Sequence, residues 1–489
     1  MAFTKGSIDS TKLFGRKVLY SSIDENQLNV LTIAQVLKEV LPLHLKNLNE
    51  IDYLIGVYKG NQKILSKTKK VRKNINNKVL ENNAFHIVEF KKGYVFGDPI
   101  QYVQVGDTLK DEIVTLNKYM LENDKPSKDK DLSEDWYISG NAYRMIFPST
   151  EPNKPFEIYN ANPKQTFVVY SSGYEHKPLF ACYMAQKKDY ATGEDYYVIT
   201  AYTRKEVLTY KLKEDFDKSK DIEISSVGGV SVNGIGEIPI IEYPLNKSRL
   251  GIIELVISVL DALNTISSND IDDIEQFVQS LLVFLNAEVD EEGLEKLIEA
   301  GAVNVKSNQD RGSSADIKLL SNKLSHTETK VLYDRLYNNM LTIAGVPRMS
   351  DKVSSGDTGQ ARLVGEGWTM SDERAKQDEL SFKIAEKQML NIALSICKRK
   401  ASSMIKNLNV GDIEIKFTRN KSDNLLVKAQ ALLNLKNAQV APNVAFQTVG
   451  LFSDSNSVVE QSQAFYGDMW WDNEVDKDVI IDGVVTNTQ

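Results

Sequence analysis

Residues 252–277 read IIELVISVLDALNTISSNDIDDIEQF, and their spacing decides the fold. Ile252, Val256, Val259, Leu260, Leu263, Ile266, Ile271, Ile274 and Phe277 are largely three and four residues apart, which predicts one amphipathic helix of about 39 Å at 1.5 Å per residue. Its charges, Glu254, Asp261, Asp270, Asp272, Asp273 and Glu275, are all acidic, with no Lys or Arg in the stretch. Like charges at helical spacing repel. Such a helix is expected to lie against something.

Downstream, apolar runs at 281–285, 303–305 and 317–320 surround a short helix at 291–300 that Gly301 closes, so 278–324 reads as a small α/β unit. Ser325-His326-Thr327-Glu328 matches a capping box, and Val331, Leu332, Leu336, Met340 and Ile343 carry a second helix that must stop before Pro347. The chain can thus leave and return along a stalk with a knob at its end. Residues 348–367, rich in Gly and Ser with Arg348, Lys352 and Arg362, form a locally basic loop. A very long helix is then expected from Trp368 to about Lys406, followed by a strand at 413–417, small helices at 425–435 and 457–465, and an acidic tail.

Upstream, apolar spacing predicts a helix over 28–49. Lys67, Lys69, Lys70, Arg72, Lys73 and Lys78 form the densest basic stretch, which suits either phosphate contact or a solvated or inter-subunit face. Residues 84–104 alternate around Ile87, Val88, Phe90, Tyr94, Val95 and Phe96 and are expected to be strand-like, ending in a turn at Gly97-Asp98-Pro99. Asp129, Asp131, Glu134 and Asp135 are interleaved with Lys128 and Lys130 just after Pro126, the pattern of a solvated loop more than of a Mg²⁺ site. From 142 to 243, runs at 142–147, 166–170, 179–184, 196–202, 207–212 and 238–243 read as a mostly antiparallel sheet region. The fold class is α+β.

Composition narrows the function. The 489 residues carry 59 bases and 67 acids, a net charge of −8, so the basic excess of a DNA-wrapping protein is lacking and any DNA contact must be local. Cys182 and Cys397 are too far apart for a knuckle, and His44, His86, His176 and His326 have no metal-ligand spacing, so neither a metal nor another cofactor is expected. There is no Gly-Lys step for a phosphate loop and no GxSxG elbow. The expectation is a non-enzymatic binding or structural protein. No apolar run approaches about 20 residues and the first 16 lack a signal-peptide pattern, so no membrane partner is expected.

Several motifs agree in order: Tyr53-Leu54-Ile55-Gly56 with Gln62, Asn76-Asn77-Lys78-Val79, Ile87-Val88-Glu89, Gly93 through Ile100, and Gly140-Asn141-Ala142-Tyr143. Ile238-Pro239-Ile240-Ile241-Glu242-Tyr243 with Asn246, Val256-Ile257-Ser258, Leu260 through Asp270, and Ala344-Gly345-Val346-Pro347 continue them. Over roughly residues 28–420 the chain resembles the portal proteins of tailed double-stranded-DNA bacteriophages, of the siphophage type. The resemblance implies an α+β portal fold: a wing (1–250), a first stem helix (251–277), a clip (278–324), a second stem helix (325–345), a tunnel loop (346–367), a long wing helix and strand (368–422) and a crown with the tail (423–489).

It also implies a homo-oligomeric ring, usually of twelve subunits, at the capsid portal vertex, through which double-stranded DNA enters and leaves. Partners would be the terminase large subunit, the major capsid protein and scaffold, and a head-completion adaptor, with assembly in the host cytoplasm. Arg348, Lys352, Ser354, Ser355, Gly356, Thr358, Gly359, Gln360 and Arg362 would form the DNA-channel loop, which here reads Gly356-Asp357-Thr358-Gly359 where the family more commonly has Ser-Gly-Val-Ala. Glu254, Asp261, Asp270, Asp272, Asp273 and Glu275 would line the channel, where repulsion of phosphate keeps a duplex sliding, or meet a neighbour's bases. A DNA-packaging enzyme or another minor head protein is the alternative.

Overall fold

The computed structural model describes residues 13–70, 73–105, 109–151, 153–193, 195–212, 224–226, 229–278, 281–285, 287–288, 306–307, 316–320, 326–348, 367–419, 425–452 and 455–467. β1 (Leu19–Ser21) precedes α1 (Val30–Tyr58), which starts at a capping box: the Leu31 and Thr32 amides donate to the Asn29 carboxamide at 2.9 and 3.0 Å, and the Asn29 amide donates to Thr32 Oγ1 at 2.9 Å. Then come α2 (Asn83–Phe96), β2 (Gln101–Gln104), α3 (Lys110–Glu122) and α4 (Lys125–Ser139). Strands follow: β3 (Asn141–Pro148), β4 (Phe156–Ala161), β5 (Thr166–Ser171), β6 (Pro178–Lys188), β7 (Asp195–Tyr202), β8 (Glu206–Leu212), β9 (Ile224–Ser226), β10 (Ser231–Val232) and β11 (Ile240–Pro244).

Two sheets result. One has the order β1-β5-β6-β7-β8-β10, with β9 also on β8 and every pairing antiparallel except β1 with β5. Its inner face packs on α1 through Phe167, Phe180, Ile199 and Tyr210 against Ile33, Leu37 and Leu41, all buried. The other is β11-β3-β4, in which Ile240 faces Met145 and Tyr243 faces Ala142.

α5 (Ile252–Val278) leads to β12 (Leu281–Leu285), β13 (Ala287–Glu288), β14 (Lys306–Ser307) and β15 (Asp316–Leu320), and α6 (His326–Ala344) returns. β12 pairs antiparallel with β15 and β13 with β14, while the expected helix at 291–300 lies outside the described residues. α7 (Trp368–Arg399), β16 (Ile413–Lys416), α8 (Leu425–Asn437), α9 (Pro442–Val449) and α10 (Ser455–Tyr466) complete the chain, with β16 paired to β2. A second core joins α2, α4, the β11-β3-β4 sheet, α5, α6 and α7.

Three expectations are corrected. Residues 83–96 are helical, because the buried positions Ala84, Ile87, Val88, Lys91, Lys92 and Val95 recur by threes and fours, and two of them are lysines that disguise the period. Lys91 reaches Asp378 at 3.2 Å and Lys92 reaches Glu134 at 2.9 Å, so their stems are buried and their charges paired. Residues 125–139 are helix α4, not a solvated loop; Pro126 sits in the first turn, where no N–H is needed, and Asp129 is buried. α7 stops at Arg399, short of Lys406, because the chain turns at Lys400 and returns Ile405 and Leu408 to the core.

β4 and the extension of α1 to Tyr58 are additional findings. Ile252–Glu275 is also long and apolar enough to cross a membrane by length and composition. Ile252, Ile253, Val256, Ile257, Leu260 and Leu263 are instead buried in the core.

Candidate functional site at the stalk

α5 and α6 run antiparallel: Tyr333 and Ser267 both donate to Glu81, while Met340, Leu341 and Ala344 share a core with Ile252 through Leu263. α6 ends in a Schellman turn, with the Val346 amide on the Leu341 carbonyl at 2.9 Å and Gly345 at φ +70°.

Two acids of α5 face bases of their own chain. Glu254 receives Arg16 and, at 2.6 Å, the Gly251 amide at the helix start. Asp272 receives Lys67 at 2.8 Å, Lys69 at 2.5 Å, and the Asn77 amide and carboxamide at 2.6 and 2.9 Å. The Glu254 and Asp272 side chains are 1% and 0% exposed. Neither can line a channel, which corrects that expectation for both. Burial raises Glu254 above the usual carboxylate range against the pull of Arg16. Burial works in the same sense on Asp272, but the hydrogen bonds from Lys67, Lys69 and Asn77 outweigh it and hold the group far below that range.

Glu275 accepts from Asn77 at 2.8 Å. Asp261, which burial raises, Asp270 and Asp273 are half-buried. The basic run and the one-signed helix are both visible in the sequence; that Lys67 and Lys69 meet Asp272 is not.

At the root of the stalk three backbones cross. A Cβ on Gly251 would sit 2.1 Å from the Ile138 carbonyl oxygen, one on Gly140 (φ +79°) 2.1 Å from that of Arg249, and one on Gly15 2.0 Å from that of Ser248. Beside this crossing β11 directs Glu242 and Tyr243 to opposite faces, as a strand must. Glu242 takes Arg249 bidentately at 2.7 and 3.0 Å and the Tyr170 hydroxyl at 2.6 Å. Burial raises its pKa, but Arg249 and these hydrogen bonds bring it below the usual value.

Tyr243 donates at 2.8 Å to Glu386 of α7, the centre of a wholly buried cluster. Lys125 lies 2.9 Å from Glu386 and 2.7 Å from Asp129, Arg144 lies 2.7 Å from Asp129 and 3.5 Å from Glu386, and Tyr102 also donates to Glu386. Two cations and two anions tie α4, β3, β2, β11 and α7 together. Sequence reading missed it, because its members are far apart in the chain.

Of the loop residues named from the sequence, Arg348 alone is described; it is exposed and donates to Thr342 at 3.0 Å. Lys352, Ser354, Ser355, Gly356, Thr358, Gly359, Gln360 and Arg362 lie outside the described residues. Among the described residues no cluster of His, Cys, Asp and Glu is placed to hold a metal ion.

An α+β body, a buried charge cluster and a helix pair separated by small strands define a structural component built around a stalk. The family model described as phage portal protein, SPP1 Gp6-like, matches residues 37–464. The chain belongs to the phage portal protein family, structural and non-enzymatic components of the phage. No curated protein sequence matches it. Among solved structures, a chain from the neck of an empty GTA particle computed with C6 symmetry is similar, at 13% identity, a TM-score of 0.39 and coverage of 76% of this chain and 91% of that one.

Proposed function

We propose that the chain assembles as a closed ring, usually of twelve subunits in this family, at one capsid vertex. The ring is the channel for genome packaging and ejection, and it docks the terminase large subunit and later a head-completion adaptor. The observation that carries this reading is the antiparallel α5–α6 pair, rooted in the body and joined through β12–β15. On this reading 1–250 and 368–422 are wing, 251–277 and 325–345 stem, 278–324 clip, 346–367 tunnel loop and 423–489 crown. Major capsid protein and scaffold are further partners, and the ring forms in the host cytoplasm. Twelve copies of a 55.0 kDa chain come to about 660 kDa. Light scattering after size exclusion is expected to give a mass above half a megadalton, and a monomer or dimer at micromolar concentration would overturn the proposal.

The clip assignment is tested by deleting residues 290–301, which should abolish DNA packaging without dispersing the ring. For the loop, Ser355→Cys with Thr358→Cys should crosslink neighbouring subunits around the axis under mild oxidation. Glycines there let Lys352 and Arg362 meet phosphate without a fixed geometry. Thiols that stay reduced and fully accessible would place the loop on the outer rim instead. Asp261, Asp270 and Asp273 remain the candidates for a channel-facing charge.

A further inference from the structure

The two halves of α5 are held by different forces. Among its described side chains the buried apolar ones, Ile252, Ile253, Val256, Ile257, Leu260 and Leu263, end at Leu263, while Ile271 and Ile274 further on are 44% and 51% exposed. From Asn264 onward the helix is held by residues 61–82, the link between α1 and α2. Asn264 donates to Gln62 at 2.6 Å and accepts the Glu81 amide at 2.9 Å. Ser268 Oγ accepts the Val79 amide at 2.9 Å, Ser267 donates to Glu81 at 2.6 Å, and Asp272 and Glu275 take Asn77, Lys67 and Lys69 as described. Tyr333 of α6 closes on the same Glu81. Among the described residues of this segment the buried apolar side chains are Ile64 and Ile75, so lifting it exposes little of their apolar surface. Segments with few buried apolar contacts open at free energies well below that of global unfolding.

We propose that residues 61–70 and 73–82 are a clasp fastened by charge, which opens together with the second half of α5 while the body stays folded. In doing so it sets how β12–β15, directly beyond α5, is held. Two ammonium groups on one carboxylate make Asp272 the fastening point. Lys63, close enough to lower the Asp261 carboxyl against burial, adds a weaker tie one half-helix earlier. The proposal deepens the clip reading and rests on it only for its consequence. Hydrogen exchange reads the clasp itself, whatever β12–β15 docks, whereas packaging by the 290–301 deletion reads the clip.

The experiment is hydrogen exchange of the full assembled protein at pH 7 in 0.1 M NaCl, comparing wild type with Asp272→Asn and with the milder Lys69→Ala. Peptides covering 74–81 and 264–278 should exchange about tenfold faster in Asp272→Asn, the loss of roughly one charge-assisted hydrogen bond. Lys69→Ala should shift them less and in the same direction, since Lys67 remains. β3, β11 and residues 252–260 should stay within about twofold. Salt at 1 M, which screens a buried pair less than an exposed one, should move wild type part of the way toward Asp272→Asn and leave the variant unchanged. Unchanged exchange at 74–81 in both variants, or a uniform rise that includes β3 and β11, would overturn the clasp.

Discussion

Glu386→Leu is expected to destabilise the fold by about 3–5 kcal/mol, because it leaves Lys125 and Arg144 buried with only Asp129 between them. The buried hydroxyls of Tyr102 and Tyr243 lose their acceptor at the same time. Calorimetry of the purified ring should therefore show a large fall in midpoint. The double variant Arg144→Met with Glu386→Leu should lose clearly less than the sum of the two single changes, since removing one cation with one anion restores balance. A single-variant loss below about 1 kcal/mol would show that water reaches the cluster and screens it.

Gly251→Ala should be at least as damaging for a different reason. Its added methyl meets the Ile138 carbonyl oxygen at 2.1 Å, where no side chain can swing away, and the colliding partner is the last turn of α4. A loss above about 4 kcal/mol, or failure to accumulate as soluble protein, is expected. Gly93 is the internal control. It sits within α2 with nothing within 4 Å of an added Cβ, so Gly93→Ala should stabilise by about 0.5–1 kcal/mol. Two identical substitutions should thus differ in sign, and equal effects at the two sites would refute the crossing geometry.

Local period made much of this fold legible, and long-range pairing hid the rest. α5 could be read because its apolar residues hold a helical spacing and its acids fall between them. α2 could not, because Lys91 and Lys92 occupy core-facing positions on the strength of partners at 134 and 378. α4 was misread for the same reason: Lys125 and Asp129 look solvated until Arg144 and Glu386 close over them. One signal was available and unused. Glu242, a lone charge between apolar residues of a strand, marks a buried pair, and Arg249 lies seven residues on. The one-signed charge of α5 predicts an opposing surface, and for Asp272 the opposing bases lie in its own chain at 67 and 69. The motif at Gly140 carries a family resemblance in the sequence but no physical reason; the crossing with Arg249 supplies one.

The N-terminal arm carries a consequence for synthesis. Leu19 to Ser21 lie parallel to β5, and Arg16 closes on Glu254, which lies 238 residues later in the chain. The seat of Arg16 therefore does not exist until more than half of the protein has been made, well after that of Leu19 to Ser21 on β5. At about 5–20 residues per second the arm waits roughly 12–48 s for its partner. Locking of the stalk root is thus a late event on each nascent chain, and a subunit becomes rigid at that joint only after its wing sheet has been made.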